Sequence, residues 1–459
     1  MRREQKTGQA GYPGEGTVET ESSEGARSVA ARESVEKDGA NSLLERILHK
    51  DNLNVAYQRV KQNGGAAGID GMTVEEMLPY LREHGEELIA GIRQGRYKPQ
   101  PVRCVEIPKP DGGVRRLGVP TVIDRMIQQA VLQVLQPIFE PTFSNNSYGF
   151  RPGRNAQQAI KKAKAHYDDG YTHVVDIDLA RYFDTVNHDI LLELVSREVK
   201  DKTVIRLIRK FLKSGVMADG LVSPTDEGTP QGGNLSPLLS NIYLTEFDRL
   251  LENRGHRFVR YADDCNIYVR SRRAADRVME SCARFLAGKL KLKVNWEKSK
   301  TGSPLRLRFL GFSLYKAGEK SGIRPHEKSL EQFKHKVLEL TSRKQARSIG
   351  EILRRLAVYT RGWLGYYAMA DMKSRIQALN EWMRHRIRQI FWKQWKKIKP
   401  RHDNLRRLGI SDGQEWKWAN SRLGYWRIAG SWILTRSLTN EYLASIGYDD
   451  LSKRYEALH

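Results

Sequence analysis

Apolar residues first recur at helical spacing near position 43. Leu43, Leu44, Ile47 and Leu48 share one face, and a second helical pattern runs from Asn52 to Gln62 until Gly64-Gly65 stops it. A glycine-rich loop, Gly64 to Gly71, follows, and Thr73 with Glu76 has the spacing of a capping box for the next helix. The period then changes to two. Val102 to Ile107 and Val114 to Val119 flank Pro110-Asp111-Gly112-Gly113, which predicts a β-hairpin. Thr121 opens a helix to about Leu135, and His173 to Asp178 reads as a buried strand. His188 to Val199 and Lys202 to Leu212 are helical, and Ser236-Pro237 makes an N-cap and first-turn pair for a helix to about Leu251. Arg257 to Tyr261 and Cys265 to Val269 are short strands around a tight turn, and helix returns from Arg273 to Leu290. The mixture predicts an α+β fold with a mostly antiparallel sheet. Beyond about residue 325 the pattern is helical. Met383, Ile387, Ile390 and Phe391 mark an apolar stripe there, and Arg386, Lys393 and Lys397 share another face.

Composition adds a partner class. The 459 residues carry 78 Lys and Arg against 54 Asp and Glu, a net charge of +24. Half of that excess lies between Pro325 and Pro400, with 18 basic and 6 acidic residues. Such a balance points to a polyanion, because cations on a protein displace counterions from phosphates. The first forty residues lack Leu, Ile, Phe and Trp, so they are expected to be a disordered leader. Cys104, Cys265 and Cys282 form no C-x-x-C pair, which argues against a zinc ribbon and fits a reducing compartment. No apolar run approaches a membrane span, and the start lacks a signal peptide, so a cytoplasmic location is expected.

The chemistry centres on Tyr261-Ala262-Asp263-Asp264, two adjacent acids between apolar runs. Bare neighbouring carboxylates repel unless a divalent cation sits between them. An aromatic-x-Asp-Asp string arises by chance in roughly one chain in ten of this length, so it needs company. Val174-Val175-Asp176-Ile177-Asp178 supplies it: acids at the end of a buried strand are costly unless paired or metal-bound. Three carboxylates from two strands with Mg²⁺ would form a two-metal clamp for in-line phosphoryl transfer.

The motif set resembles the reverse transcriptases encoded by group II introns. Asp178 with Phe183 five residues on, followed by Tyr-Ala-Asp-Asp, is similar to the family's two catalytic motifs. Gly228-Thr229-Pro230-Gln231-Gly232-Gly233-Asn234-Leu235-Ser236-Pro237 lies between them. Ile107 to Arg115 resembles the fingers hairpin, and Tyr148-Gly149-Phe150-Arg151-Pro152-Gly153-Arg154 the next block. Lys291 to Asn295 with Lys298, then Phe309-Leu310-Gly311-Phe312, resemble the late palm and primer grip. The resemblance runs from about residue 43 to the C-terminus and is nearest to the compact bacterial class without an endonuclease domain.

That resemblance implies a right-hand polymerase fold. Fingers and palm would occupy 41–320, a helical thumb or maturase domain X 321–399, and a basic DNA-binding segment 400–459. It implies Asp178, Asp263 and Asp264 as metal ligands for two Mg²⁺ ions, with Mn²⁺ as a substitute and the Leu179 carbonyl as a further oxygen. Asp176 shares the strand face with Asp178 and is the competing ligand. Phe183 would be the steric gate against a ribose 2′-hydroxyl, Lys109 and Arg115 would hold the triphosphate, and Gln231 would lie along the nascent base pair. Lys298 would be the general acid for pyrophosphate, with Lys300 as competitor. Gly232, Gly233, Arg386, Lys393 and Lys397 would contact nucleic acid, and Arg151 and Arg154 would either do the same or serve a structural role. Trp416, Trp418 and Trp426 are either base-stacking or core residues. The implied partners are an RNA template and primer, dNTPs, the intron RNA and a target DNA.

Three other readings use parts of the same pattern. In an RNA-binding splicing factor with an idle site the acids would be free to change, yet they are intact. An RNA-directed RNA polymerase would not favour Phe183 with this motif set. A domesticated relative in defence or repair would be told apart by the flanking genome.

Overall fold

The computed structural model describes residues 42–108, 112–218, 221–223, 227–229 and 232–459, so the expected leader lies outside the described residues. The chain forms two compact units, up to Ser303 and from Pro304 to His459.

The first unit opens with α1 (Leu43–Leu48) and α2 (Lys50–Asn63). Gly64 ends α2 at φ 60°, a conformation that favours glycine. The loop beyond is braced: Arg125 donates to the carbonyls of Gly64 (3.1 Å) and Ala66 (2.8 Å), and a Cβ on Gly68 would meet the Thr121 backbone at 2.6 Å. Helix α3 (Met77–Arg93) starts later than a capping box at Thr73 implies. The two residues do meet, but the Thr73 hydroxyl donates to the Glu76 carboxylate (2.9 Å) instead of capping the helix. Strands β1 (Val102–Pro108) and β2 (Val114–Val119) form the expected antiparallel hairpin. Helix α4 (Val122–Phe139), capped by Thr121 through the Asp124 amide (3.1 Å), is buried on most of its surface and runs past Leu135. Next come α5 (Ala156–Asp168), β3 (His173–Ile177), α6 (Tyr182–Thr185), α7 (His188–Glu198) and α8 (Lys202–Leu212). Strands β4 (Val216–Ala218) and β5 (Leu221–Ser223) extend the β2-β1 sheet, β4 lying parallel to β1.

Helix α9 (Ser236–Asn253) is followed by β6 (Arg257–Tyr261), β7 (Asp264–Val269), α10 (Arg272–Lys289) and β8 (Lys300–Gly302). Ser236 is the first helical residue, not the N-cap. Its amide already donates to the Gly233 carbonyl (3.3 Å), so the chain enters the helix through a turn and Leu235 takes the cap position. The second sheet has the order β6-β7-β3-β8, antiparallel throughout. Val175, Ile177, Phe258, Cys265 and Ile267 join α4, α7 and α9 in one continuous core.

The second unit begins earlier than the expected boundary at 321. Strands β9 (Phe312–Ala317) and β10 (Lys320–Pro325) pair with each other and pack on the helices behind them. The Tyr315 hydroxyl donates to Asp371 (3.0 Å), and a Cβ on Gly311 would collide with the Tyr367 hydroxyl. Helices α11 (Glu327–Leu340), α12 (Ile349–Tyr367) and α13 (Lys373–Gln394) follow, then six short helices from Ile398 to Ala457. The apolar stripe Met383, Ile387, Ile390, Phe391 is buried as expected. The basic face is not continuous: α13 ends at Gln394, Lys396 takes a left-handed conformation at φ 38°, and Lys397 is the N-cap of the next helix. No described helix is long and apolar enough to cross a membrane.

Candidate active site

The register of β3 on β7 decides which acids meet. Asp176 faces Asn266 and Ile177 faces Cys265, so one further step sets Asp178 opposite Asp264. Asp176 lies a full pleat inside the sheet, with Lys300 of β8 as its other neighbour. Tyr261 pairs with Asp264, which leaves Ala262 and Asp263 as a two-residue hairpin turn. Ala262 sits at φ 57°, where side chains other than glycine are uncommon.

Charge confirms the crowding. Burial raises the Asp263 carboxyl, the Asp178 charge raises it further, and Arg115 and Arg260 oppose the shift. Asp176 is pushed up to about 7, first by burial and then by Asp178, against Lys300. Arg115, on the exposed end of β2, is thus close enough for its charge to be felt at the turn. Among the described residues, no three His, Cys, Asp or Glu side chains stand in a closed metal-holding arrangement. The donor set is nevertheless hard oxygen in local excess of negative charge, which is the chemistry a divalent cation requires.

The end of the β3 segment is pinned from a second direction. The Asp178 amide donates to Ser299 Oγ (3.0 Å), and its carbonyl accepts from the Asn295 amide (2.8 Å). Leu179 bridges Val294, so its carbonyl lies on the same strand end. Lys298 is exposed in the 295–299 turn, whereas Lys300 is the cation opposite Asp176. Phe183 is half-buried and packs edge-on to Tyr182 at 5.1 Å. Its carbonyl accepts from the Thr229 amide (2.6 Å), and a Cβ on Gly228 would meet that carbonyl at 2.8 Å. The Gly228-Thr229 segment therefore lies directly against Phe183. A Cβ on Gly232 would meet the Gly118 carbonyl of β2 at 2.7 Å, and one on Gly233 the Gln128 side chain at 2.8 Å. Both glycines are needed for close packing of this loop on the fingers hairpin and α4. Lys109 and Gln231 lie outside the described residues.

Two of the expected contact arginines are committed elsewhere. Arg151 is buried, pairs with Glu140 (2.8 Å), donates to the Ser144 and Ser147 carbonyls and covers the Phe143 ring. It braces the 140–151 loop and has no free donor face for a phosphate. Arg386 is half-buried, donates to the Thr341 hydroxyl (2.6 Å) and carbonyl (3.2 Å), and burial holds its pKa below the usual value. Arg154 is partly exposed and holds Asn145 (2.9 Å), Lys393 stands over the Tyr425 ring, and Lys397 is exposed. Of the three expected tryptophans, Trp416 and Trp426 are about half exposed, while Trp418 is partly buried against Trp432.

A network not anticipated from sequence sits behind the turn. Arg260 is fully buried in β6, and its ion pair with Asp248 of α9 is made of two contacts, 2.7 and 2.5 Å. A second arm donates to the Ala262 carbonyl (2.9 Å) and to Asn241 Oδ1 (3.0 Å). Asn241 in turn donates to the Gly149 carbonyl (2.9 Å), and a Cβ on Gly149 would collide with the Ala262 backbone. The Tyr148 amide donates to the Arg260 carbonyl (2.8 Å), so the 146–149 segment runs beside β6. Arg260 between Phe258, Val259 and Tyr261 was the available signal, because a charge in a buried strand must have a partner.

An antiparallel sheet with carboxylates meeting at one end, fed by a hairpin carrying a cation, defines a palm-type polymerase domain. Residues 107–314 match the family model described as reverse transcriptase (RNA-dependent DNA polymerase), and residues 330–409 match the group II intron maturase-specific domain. Protein YkfC of Escherichia coli is 35% identical over 298 residues, which cover 56% of this chain and 78% of that protein. The group II intron-encoded protein LtrA of Lactococcus lactis is 39% identical over 210 residues, covering 46% of this chain and 35% of LtrA, so the match spans about a third of that relative. An apo telomerase structure from Candida tropicalis superposes with a TM-score of 0.40 at 14% identity, covering 53% of this chain and 59% of that one. The chain belongs to the group II intron-encoded reverse transcriptase and maturase family, whose polymerases copy RNA into DNA.

Proposed function

We propose that this chain extends a DNA primer on an RNA template and also carries its intron RNA through splicing and insertion. One observation supports the site: the register that sets Asp178 opposite Asp264, with Asp263 on the adjoining turn. Asp178, Asp263 and Asp264, with the Leu179 carbonyl, would hold two Mg²⁺ ions, and Mn²⁺ would substitute. When bound, the ions supply the Lewis acidity that ionises the primer hydroxyl and balances charge on the departing pyrophosphate.

The chain's own groups do the rest. Arg115 and Lys109 grip the triphosphate, Arg through its planar fork and Lys as a point charge. Phe183, fixed by the Gly228-Thr229 segment, presents a ring edge to the sugar and excludes a 2′-hydroxyl. Gln231, Gly232 and Gly233 lie along the nascent base pair. Lys298 delivers a proton to pyrophosphate, with Lys300 as the alternative donor because it faces Asp176. In the second unit, Lys393, Lys397 and the tryptophans Trp416 and Trp426 would contact intron RNA and target DNA; the exposure of both rings supports this. Arg154 remains a backbone contact in the first unit. The protein acts in the cytoplasm, on RNA and target DNA.

The test is primer extension on RNA and DNA templates with dNTPs, beside Asp263→Asn. The variant is expected to lose extension while its RNA affinity stays near normal. Undiminished extension would remove Asp263 from the site.

A further inference from the structure

β6 and β7 carry the acidic turn at one end and arginines at the other. From Ala262 back to Arg257 is five residues, roughly 16 Å of strand at about 3.3 Å per residue. At that far end lies a shallow cavity of about 480 Å³, lined by Tyr171, His256, Arg257, Tyr268, Arg270 and Arg277 among others. The Arg270 guanidinium stands over the Tyr171 ring at 5.1 Å, and Arg257 and Arg270 together hold the Tyr171 hydroxyl below its ordinary pKa. Arg257, Arg270 and Arg277 are exposed, as are Arg254 at the end of α9 and Arg272 and Arg273 at the start of α10. Arg254 donates to the Ser281 hydroxyl, itself part of the pocket lining.

This arrangement is unlike the surface ion pairs elsewhere in the unit, where Arg197 and Arg249 share Glu246. Here three guanidinium groups, those of Arg257, Arg270 and Arg277, line one concave surface beside the Tyr171 ring, where like charges repel. A phosphate oxygen entering beside the Tyr171 hydroxyl would meet these donors and relieve the repulsion. A protein partner would need an apolar anchor at the centre of its footprint. Val269, Ala274, Val278 and the Tyr171 and Tyr268 rings line the cavity, but Tyr268 is buried and the rim is arginine, so charge and not an apolar anchor dominates the surface a partner meets. The pocket lies at the end of β6 and β7 away from the acidic turn, so a backbone bound there is a contact separate from one at the turn.

We propose that this pocket docks the phosphodiester backbone of the RNA the protein carries, outside the polymerase cleft. The proposal rests on the intron-RNA reading above, and its test separates the two. Full-length protein and the triple variant Arg257→Gln, Arg270→Gln, Arg277→Gln are compared on two probes. One is a long RNA hairpin without a recessed 3′ end, titrated across salt. The other is a short RNA template with a DNA primer, used for extension.

Each phosphate contact contributes about 0.9 to the slope of log affinity against log salt. The variant's slope on the hairpin is therefore expected to fall by about 2 to 3, with affinity near 0.1 M salt falling about tenfold or more. Extension of the short template–primer should be unchanged, which also shows that the variant is folded. Unchanged affinity and slope would overturn the pocket and leave the RNA-carrying reading standing. Failure of the unmodified protein to bind the hairpin would overturn both. Equal loss on both probes would place these arginines in service of the cleft. Displacement of a polyglutamate peptide from the pocket with RNA binding intact would mark it as a protein-docking site instead, and would also overturn the proposal.

Discussion

Asp248→Ala tests whether the active-site turn is held from behind. The substitution removes both carboxylate contacts from Arg260, whose side chain is 1% exposed, and leaves a guanidinium buried without its counter-ion. Burial opposes that charge, and Asp248 more than offsets it, keeping Arg260 above its ordinary pKa. Breaking a buried pair from one side costs about 3–5 kcal/mol, a large part of the roughly 5–15 kcal/mol that stabilises a typical domain. The double variant Arg260→Met, Asp248→Leu removes both charges, and apolar replacements of that kind are often neutral within about 1–4 kcal/mol on the stabilising side. It should therefore recover most of the stability. It should not recover activity, because the donors to the Ala262 carbonyl and Asn241 are gone and the left-handed turn is free to relax. A displacement of about 1 Å in a reacting constellation is worth about 10²-fold in rate. Urea unfolding followed by circular dichroism gives the first quantity and single-turnover primer extension the second. A double variant that is stable and extends primers at the unmodified rate would refute the idea that Arg260 positions Asp263.

Other tests follow from single contacts. Phe183→Ala should admit ribonucleotides in primer extension while leaving dNTP use measurable; continued rejection would remove Phe183 as the gate. Gly149→Ala places a methyl group into the Ala262 backbone, so extension should fall about tenfold or more with the protein still folded; full activity would mean the turn yields at no cost. In the second unit, burial alone would raise the Asp450 carboxyl, but the Lys453 amide, the Asn380 side chain and Arg384 hold it below its ordinary value. A lowered folded-state pKa stabilises the fold above the unfolded pKa, and that contribution is lost as pH falls through the folded one. The second unit's melting temperature should therefore drop at acid pH more steeply in the unmodified protein than in Asp450→Asn. Parallel curves would show that Asp450 carries none of the acid sensitivity.

Much of this protein is set by local pattern. The fingers hairpin, α4, the two strands around Tyr261 to Asp264 and most helix bounds follow from periodicity, turn residues and caps within a few positions of each other. That Asp178, Asp263 and Asp264 belong together was also readable, because acids at the ends of apolar strands have few stable uses. Tertiary structure decided what depends on partners distant in sequence. Where Asp176 and Asp178 lie is one case: the β3–β7 register, between residues nearly ninety positions apart, sets Asp176 opposite Asn266 inside the sheet and carries Asp178 to its end. An arginine in a list of cations does not show whether it faces water: Arg151 and Arg386 look available in sequence, yet Glu140 and Thr341 absorb their donors. Arg257 and Arg270 look the same and stay exposed, lining one pocket beside Tyr171. Local preference can act through neighbouring residues alone, whereas the use of a charge is settled only by which groups the fold brings within a few ångströms of it.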